Sequence, residues 1–214
     1  MTNPIPGSLP ARTAPTPVTG AVLGAYFDDL REVVDRIDVD AFAAAADVII
    51  AAILDERRVF IAGNGGSAAT ASHMANDWAA GATDAGSYPI IMCLADNVSS
   101  VTATANDLDF DDVFGLQVQR LGRAEDVLVL LSVSGNSPNL IRAGNAGKRL
   151  GMHVVSLLGN SGAMAGTSTS HASLGSDDYG VVEDLHLALN HAIVRVLRGG
   201  VAHRTPVRTA APAR

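Results

Sequence analysis

The sequence predicts an α/β protein, a three-layer α/β/α sandwich with a five-stranded parallel sheet preceded by N-terminal helices. Three observations carry that prediction. Short apolar runs alternate with segments whose apolar residues recur at about 3.6-residue spacing. The runs are continuous rather than alternating, the pattern of parallel strands buried on both faces. Hydrophobic residues make up 48% of the chain and aromatics only 4%, so the core is Ala, Val, Leu and Ile, which suits helices packed closely on a sheet.

Residues 21–36 and 39–55 carry helical periodicity and precede the sheet. RVFIAG (58–63) reads as the first buried strand, followed by a helix over Ser67–Ala80. YPIIMCL (88–94) is the second strand, and helices follow at 97–106 and 110–122. DVLVLLSVS (126–134) is the most apolar strand; the helix at 137–151 has Pro138 in its first turn and Gly151 after its end. MHVVSLLG (152–159) and the weaker HASLGS (171–176) complete the sheet, and 181–200 is the closing helix, ended by glycines.

The chain of 214 residues suits one domain with tails. Seven of the nine prolines fall near the ends, so residues 1–19 and 201–214 are expected to be disordered tails around a domain at 20–200. The four tail arginines, Arg12, Arg204, Arg208 and Arg214, leave 11 basic residues against 22 acids between them. A net charge of −7 argues against a nucleic-acid partner or a polybasic membrane contact. The single Cys93 excludes a disulfide framework and a cysteine zinc cluster. No apolar run reaches ~18 residues, and the first twenty lack the apolar stretch of a secretory signal, so a cytoplasmic protein is expected.

Two loops carry the chemistry. Gly63-Asn64-Gly65-Gly66-Ser67 follows the first strand, and Ser132-Val133-Ser134-Gly135-Asn136-Ser137 follows the strand at 126–131. Each stands at the carboxyl end of a strand and opens a helix, where ligands bind in open α/β sheets. Glycines admit close backbone approach, while hydroxyls and helix N-terminal N–H groups bind anions, phosphate above all. Neither loop is GxGxxG or a Walker loop. Phosphate binding is expected from Ser132, Ser134 and Ser137, with Ser67 nearby. Asn106-Asp107, after a Ser/Thr-rich helix, reads alone as a helix end and turn.

His73 and Asp77, four apart, share one face of the helix after the first loop. On the last helix Glu183 stands eight residues before His191, roughly 80° around the axis, and Asp184 stands seven before it, on nearly the same face. His186, five before His191, points elsewhere. Two helices each giving a His and a carboxylate make a mixed N/O site for Zn²⁺ or a similar ion if they meet; the same pattern also fits a solvated face or a metal-free hydrogen-bond network.

GNGGSAATASHMANDWAAG, TATANDLDFDDVF, LLSVSGNSPNLIRAGNAGKRLGMHVVSLLG and VEDLHLALNHAI, in that order, resemble the sugar isomerase (SIS) domain family, and more narrowly its phosphoheptose isomerases. The resemblance spans about residues 21–199. It implies a flavodoxin-like five-stranded fold, a homotetramer with active sites between subunits, and bound zinc. The implied reaction is isomerisation of sedoheptulose 7-phosphate to a D-glycero-heptose 7-phosphate. By matching position, Asn64, Gly65, Gly66, Asn106, Asp107, Ser132, Ser134 and Ser137 contact substrate, and His73 and His191 are zinc ligands. Asp77 stands where the family has a catalytic, metal-binding Glu, and Glu183 where it has a metal-binding Gln. Both keep an oxygen, so the expected metal set is His73, Asp77, Glu183 and His191, with Glu183 also in the substrate set. The segment before Glu183 is about two residues shorter than the family pattern. These changes fit a shifted metal, a different heptose epimer, or a member with impaired catalysis.

Isomerisation through an enediol needs a base, an acid and a stabilised oxyanion. The assignment is Asp77 as base and His191 as acid. Two other readings stay open: a non-catalytic phosphosugar-binding or regulatory protein, and an isomerase of another phosphosugar in secondary metabolism.

Overall fold

Five parallel strands lie in the order β2-β1-β3-β4-β5 in the computed structural model, which describes residues 19–199. They are β1 (Val59–Ala62), β2 (Ile91–Cys93), β3 (Val127–Ser132), β4 (His153–Leu158) and β5 (Ser170–Ser173). The helices are α1 (Gly20–Arg36), α2 (Val39–Leu54), α3 (Gly66–Asp84), α4 (Val98–Asp107), α5 (Gly115–Leu121), α6 (Pro138–Arg149) and α7 (Tyr179–Leu197). The expected tails lie outside the described residues, apart from Thr19.

Successive residues of a strand point to opposite faces, and this divides the core in two. Val59, Ile61, Val127, Val129 and Leu131 pack under α2, α3 and α7. Phe60, Ala62, Leu128 and Leu130 pack under α5 and α6. Every residue of β3 is buried, as its unbroken apolar run requires. Tyr26 of α1 donates its hydroxyl to Asp184 Oδ2 of α7 at 2.7 Å. That hydrogen bond, helped by burial, pushes the phenol up to about 12 and fastens the leading helix to the closing one.

The expected elements all form, with four differences. α3 runs to Asp84 rather than Ala80, because Gly81 does not stop it: a Cβ there would stand 3.2 Å from Leu197 Cδ1, so the missing side chain lets α7 pack closely. β2 pairs only over Ile91–Cys93; Pro89 has no N–H to give a ladder, and the strand is at the sheet edge. The expected helix at 110–122 is a 3₁₀ turn over Phe110–Asp112 followed by α5. Arg142 of α6 holds Asp111 at 3.1 Å and Asp112 at 2.8 Å, pinning that turn against α6. α7 starts two residues early, at Tyr179, because Asp178 caps it by accepting from the Val181 N–H at 2.9 Å.

His186 is fully buried, with no hydrogen-bond partner on either ring nitrogen among the described residues. Burial pushes its pKa down from 6.5 to about 4. The unfolded chain therefore takes up a proton here between those values while the folded chain does not, so stability falls as pH falls from 6.5 towards 4. Urea unfolding is expected to show about 2 kcal/mol lost to this group between pH 7 and pH 5. His186→Leu should remove that part of the slope; an unchanged slope would show that another group carries it.

Candidate active site

The strand order reverses between β1 and β3, and the loops after these two strands form one pocket of about 300 Å³. That is where a doubly wound sheet opens a crevice. Asn64, Gly65, Gly66, Ser67, Ser132, Ser134 and Ser137 line it, with Tyr179 and Glu183 of α7 on the far wall. All seven expected loop residues are therefore brought together, although 65 to 73 positions separate the two groups in sequence.

Local backbone makes the cradle. Gly65 caps α3 at φ +55°, a conformation L side chains rarely adopt. Gly135 turns the second loop at φ +65°, where a Cβ would stand 2.6 Å from Asn160 O and Gly162 N. Ser132 Oγ accepts from the Gly135 N–H at 3.0 Å and Ser134 Oγ accepts from the Asn136 N–H at 3.2 Å. Ser137 stands at the N-cap of α6 with no side-chain cap bond. Among the described residues the pocket lining contains no Lys, Arg or His, and its one charged side chain is Glu183; its donors are hydroxyls and the N-terminal N–H groups of α3 and α6, which suit an anion.

The second cluster lies further along the seam between α3 and α7. His73 Nε2 is 3.0 Å from Asp77 Oδ2, and His191 Nε2 is 3.9 Å from the same oxygen. The two imidazole rings meet edge to face, centroids 5.9 Å apart. Asn190 of α7 donates to Asp77 Oδ2 at 2.8 Å. Burial acts to raise the Asp77 pKa, but hydrogen bonds from Asn190, Asn76 and His73 and the charge of His73 outweigh it and hold the carboxyl below its ordinary value. Asp77 thus stays ionised well into the acid range, and Oδ1, which accepts only a long bond from Asn76 at 3.4 Å, is its freer oxygen.

One ligand atom from each of His73, Asp77 and His191 lies within 4.8 Å of the others. Two imidazole nitrogens and a carboxylate oxygen suit zinc, and three protein ligands leave a position for a substrate oxygen or water. Glu183 does not join this cluster. Its carboxylate lies over Gly66, where a Cβ would collide with both oxygens. Angular position on the helix is not the whole geometry: eight residues of rise put Glu183 about 12 Å along the axis from His191. Glu183 belongs to the cradle in this structure, and the four-ligand expectation reduces to three.

Asn106 and Asp107 are exposed at the end of α4, bonded to each other at 2.8 Å. They do not line the cradle, because α4 follows the edge strand β2, one strand removed from the β1–β3 crevice. Sequence reasoning missed two buried amides. Asn190 steadies Asp77, and its place beside His191 was the available signal. Asn139 pairs with Asn64, donating to Oδ1 at 2.8 Å and accepting from Nδ2 at 3.0 Å.

A family model described as the SIS domain matches residues 25–159. A phosphoheptose isomerase from Chlorobaculum parvum is 37% identical over 181 residues, covering 80% of this chain and 84% of the relative. A probable phosphoheptose isomerase from Thermoplasma acidophilum is 32% identical over 163 residues, 76% of this chain and 90% of the relative. The solved phosphoheptose isomerase of Neisseria gonorrhoeae is 31% identical with a TM-score of 0.74, covering 83% of this chain and 97% of that one. With cradle, seam cluster, strand order and sequence in agreement, the chain belongs to the SIS-domain family, in its phosphoheptose isomerase branch.

Proposed function

We propose that the chain isomerises sedoheptulose 7-phosphate to a D-glycero-D-heptose 7-phosphate, an aldose–ketose isomerisation of heptose biosynthesis. The observation that carries this reading is the placement of anion cradle and acid–base cluster along one helix pair. From Gly66 to His73 is seven residues of α3, about 10 Å of rise. From the C2 carbonyl to phosphorus is seven bonds of about 1.5 Å, which zigzag foreshortening reduces to an extended span of roughly 9 Å, close to that rise. The proteins of similar sequence bear the same activity in their names.

The cradle holds the phosphate through Ser134, Ser137 and helix N–H groups. Asp77 takes the C1 proton of the open-chain ketose. The electron pair forms the C1–C2 double bond while O2 takes a proton from His191, giving the enediol. Return of a proton to C2 and loss of one from O1 completes the aldose. A zinc ion held by His73, Asp77 and His191 would polarise the carbonyl.

The deciding experiment is an aldose–ketose assay by NMR with seven-carbon and six-carbon sugar phosphates. Turnover is expected with sedoheptulose 7-phosphate. Tight binding with no turnover of any phosphosugar would make the chain a binding protein instead. Chelation followed by elemental analysis tests the metal: about one zinc per subunit and lost activity are expected, whereas full activity with no metal would leave only acid–base chemistry.

Self-association as a homotetramer is the second part of the proposal. α2 and α7 share an apolar groove lined by Val39, Phe42, Ile50, Leu189 and Val196 among others. Val39 is 70% exposed and Val196 49%, and such a face normally requires cover. Light scattering at micromolar concentration should give about four times the chain mass of 22.0 kDa; a monomer would refute it. No described helix is long and apolar enough to cross a membrane.

A further inference from the structure

We propose that Asn139 is the positioning residue of the phosphate cradle, tying its two loops together and freeing the Ser137 hydroxyl for the ligand. The inference rests on the reading of this pocket as a phosphate site. Asn139 is 1% exposed, so its polar atoms must find partners inside the protein. It exchanges both amide hydrogen bonds with Asn64, across 75 positions of sequence. Asn64 stands on the loop after β1, and Asn139 on the first turn of α6 after β3. The pair therefore spans the crevice in which the ligand sits, and fixes the separation of its walls.

The same side chain has a second task. A serine at an N-cap normally accepts from the N–H of the second or third helical residue. Ser137 makes no such bond. The N–H of Leu140, third residue of α6, is shared between Asn139 Oδ1 at 2.9 Å and the Ser137 backbone carbonyl at 3.1 Å, and the Ser137 hydroxyl takes no part. Asn139 Oδ1 also accepts from Asn64, so both its lone pairs are filled. Because Asn139 has taken the capping duty, Ser137 Oγ is left uncommitted at the pocket wall. The arrangement also commits most of the Asn64 amide inward, so Asn64 acts on the ligand chiefly by placing the Gly65-Gly66 backbone.

Asn139→Asp keeps the size and both acceptor bonds but cannot donate to Asn64 Oδ1, and Asn139→Leu, neutral and of similar size, breaks the same pair without adding charge beside the anion. Titration with inorganic phosphate, followed by ³¹P NMR, is expected to show binding weakened about tenfold or more. KM for the sugar phosphate should rise by the same factor, with kcat within about threefold of wild type. Asn64→Ala/Asn139→Ala should weaken phosphate binding by less than the product of the two single losses, since the pair they share is broken only once. Asn139→Ser serves if the Asp variant does not fold. Phosphate affinity within about twofold of wild type in the folded variants, or losses that multiply in the double variant, would overturn the proposal. Phosphate binding is read without turnover. A wild type that does not isomerise heptose phosphates but loses phosphate on both Asn139→Asp and the neutral Asn139→Leu would therefore refute the proposed reaction and uphold this inference.

Discussion

Asp77→Asn is expected to lower kcat for sedoheptulose 7-phosphate by about 10²–10⁴-fold, the range a positioned general base contributes. The substitution is nearly isosteric. Its amide oxygen can still accept from Asn190, which now donates to Asp77 Oδ2 at 2.8 Å, so the α3–α7 seam should hold and the melting temperature should stay within a few degrees. What is lost is an ionised oxygen able to take a carbon-bound proton. The neighbours that hold the Asp77 pKa low keep it ionised but weaken it as a base, so the proton abstraction depends on placement at the reacting carbon. Asp77→Glu offers the complementary test: one extra methylene carries the carboxylate further along the seam, and activity should survive. If Asp77→Asn retained activity within about threefold, the base would have to be another group of the seam, and His73, with Nε2 3.0 Å from Asp77 Oδ2, would be the first to examine.

The parts of the fold legible in the sequence are those whose signal is local and periodic. The run Val127–Ser132 could only be a strand buried on both faces, and every residue of it is. The loops at 63–67 and 132–137 advertise themselves by glycine, serine and position after a strand, and the reversal of strand order joins them. His73 and Asp77 are held together by helix periodicity alone. Glu183 lines the cradle as its substrate role expects but stands outside the metal cluster, because helical angle can be read from spacing more readily than axial separation. Asn106 and Asp107 have no local signal of their own; they are exposed outside the cradle of this chain, and the resemblance that points to them implies sites shared between subunits. Asn139 was likewise invisible. Its role depends on an amide 75 positions away, and a lone Asn in the first turn of a helix looks like an ordinary polar surface residue.

Ser134→Ala/Ser137→Ala is expected to raise KM for the sugar phosphate by about 10²-fold or more. A hydrogen bond to a charged group contributes about 1.5–3 kcal/mol, and these two hydroxyls share one phosphate, so their losses add incompletely. The three serines of the loop should separate by role. Ser132 is buried and its hydroxyl accepts from the Gly135 N–H at 3.0 Å. Ser132→Ala leaves that N–H unpaired inside the protein, and should cost about 1–3 kcal/mol of stability. Ser137 has no cap bond to lose and faces the pocket, so Ser137→Ala should change affinity with little change in stability. Ser134 is intermediate: its oxygen accepts from the Asn136 N–H at 3.2 Å while its hydrogen is free to donate. Inorganic phosphate should lose inhibitory strength in parallel with the rise in KM, because the damage is to the phosphate end of the substrate alone. A double variant with KM within about threefold of wild type would remove the phosphate from this loop. Helix N–H groups and the remaining hydroxyls of Ser67 and Tyr179 would then have to hold it, in a pocket with no cation among its described lining residues.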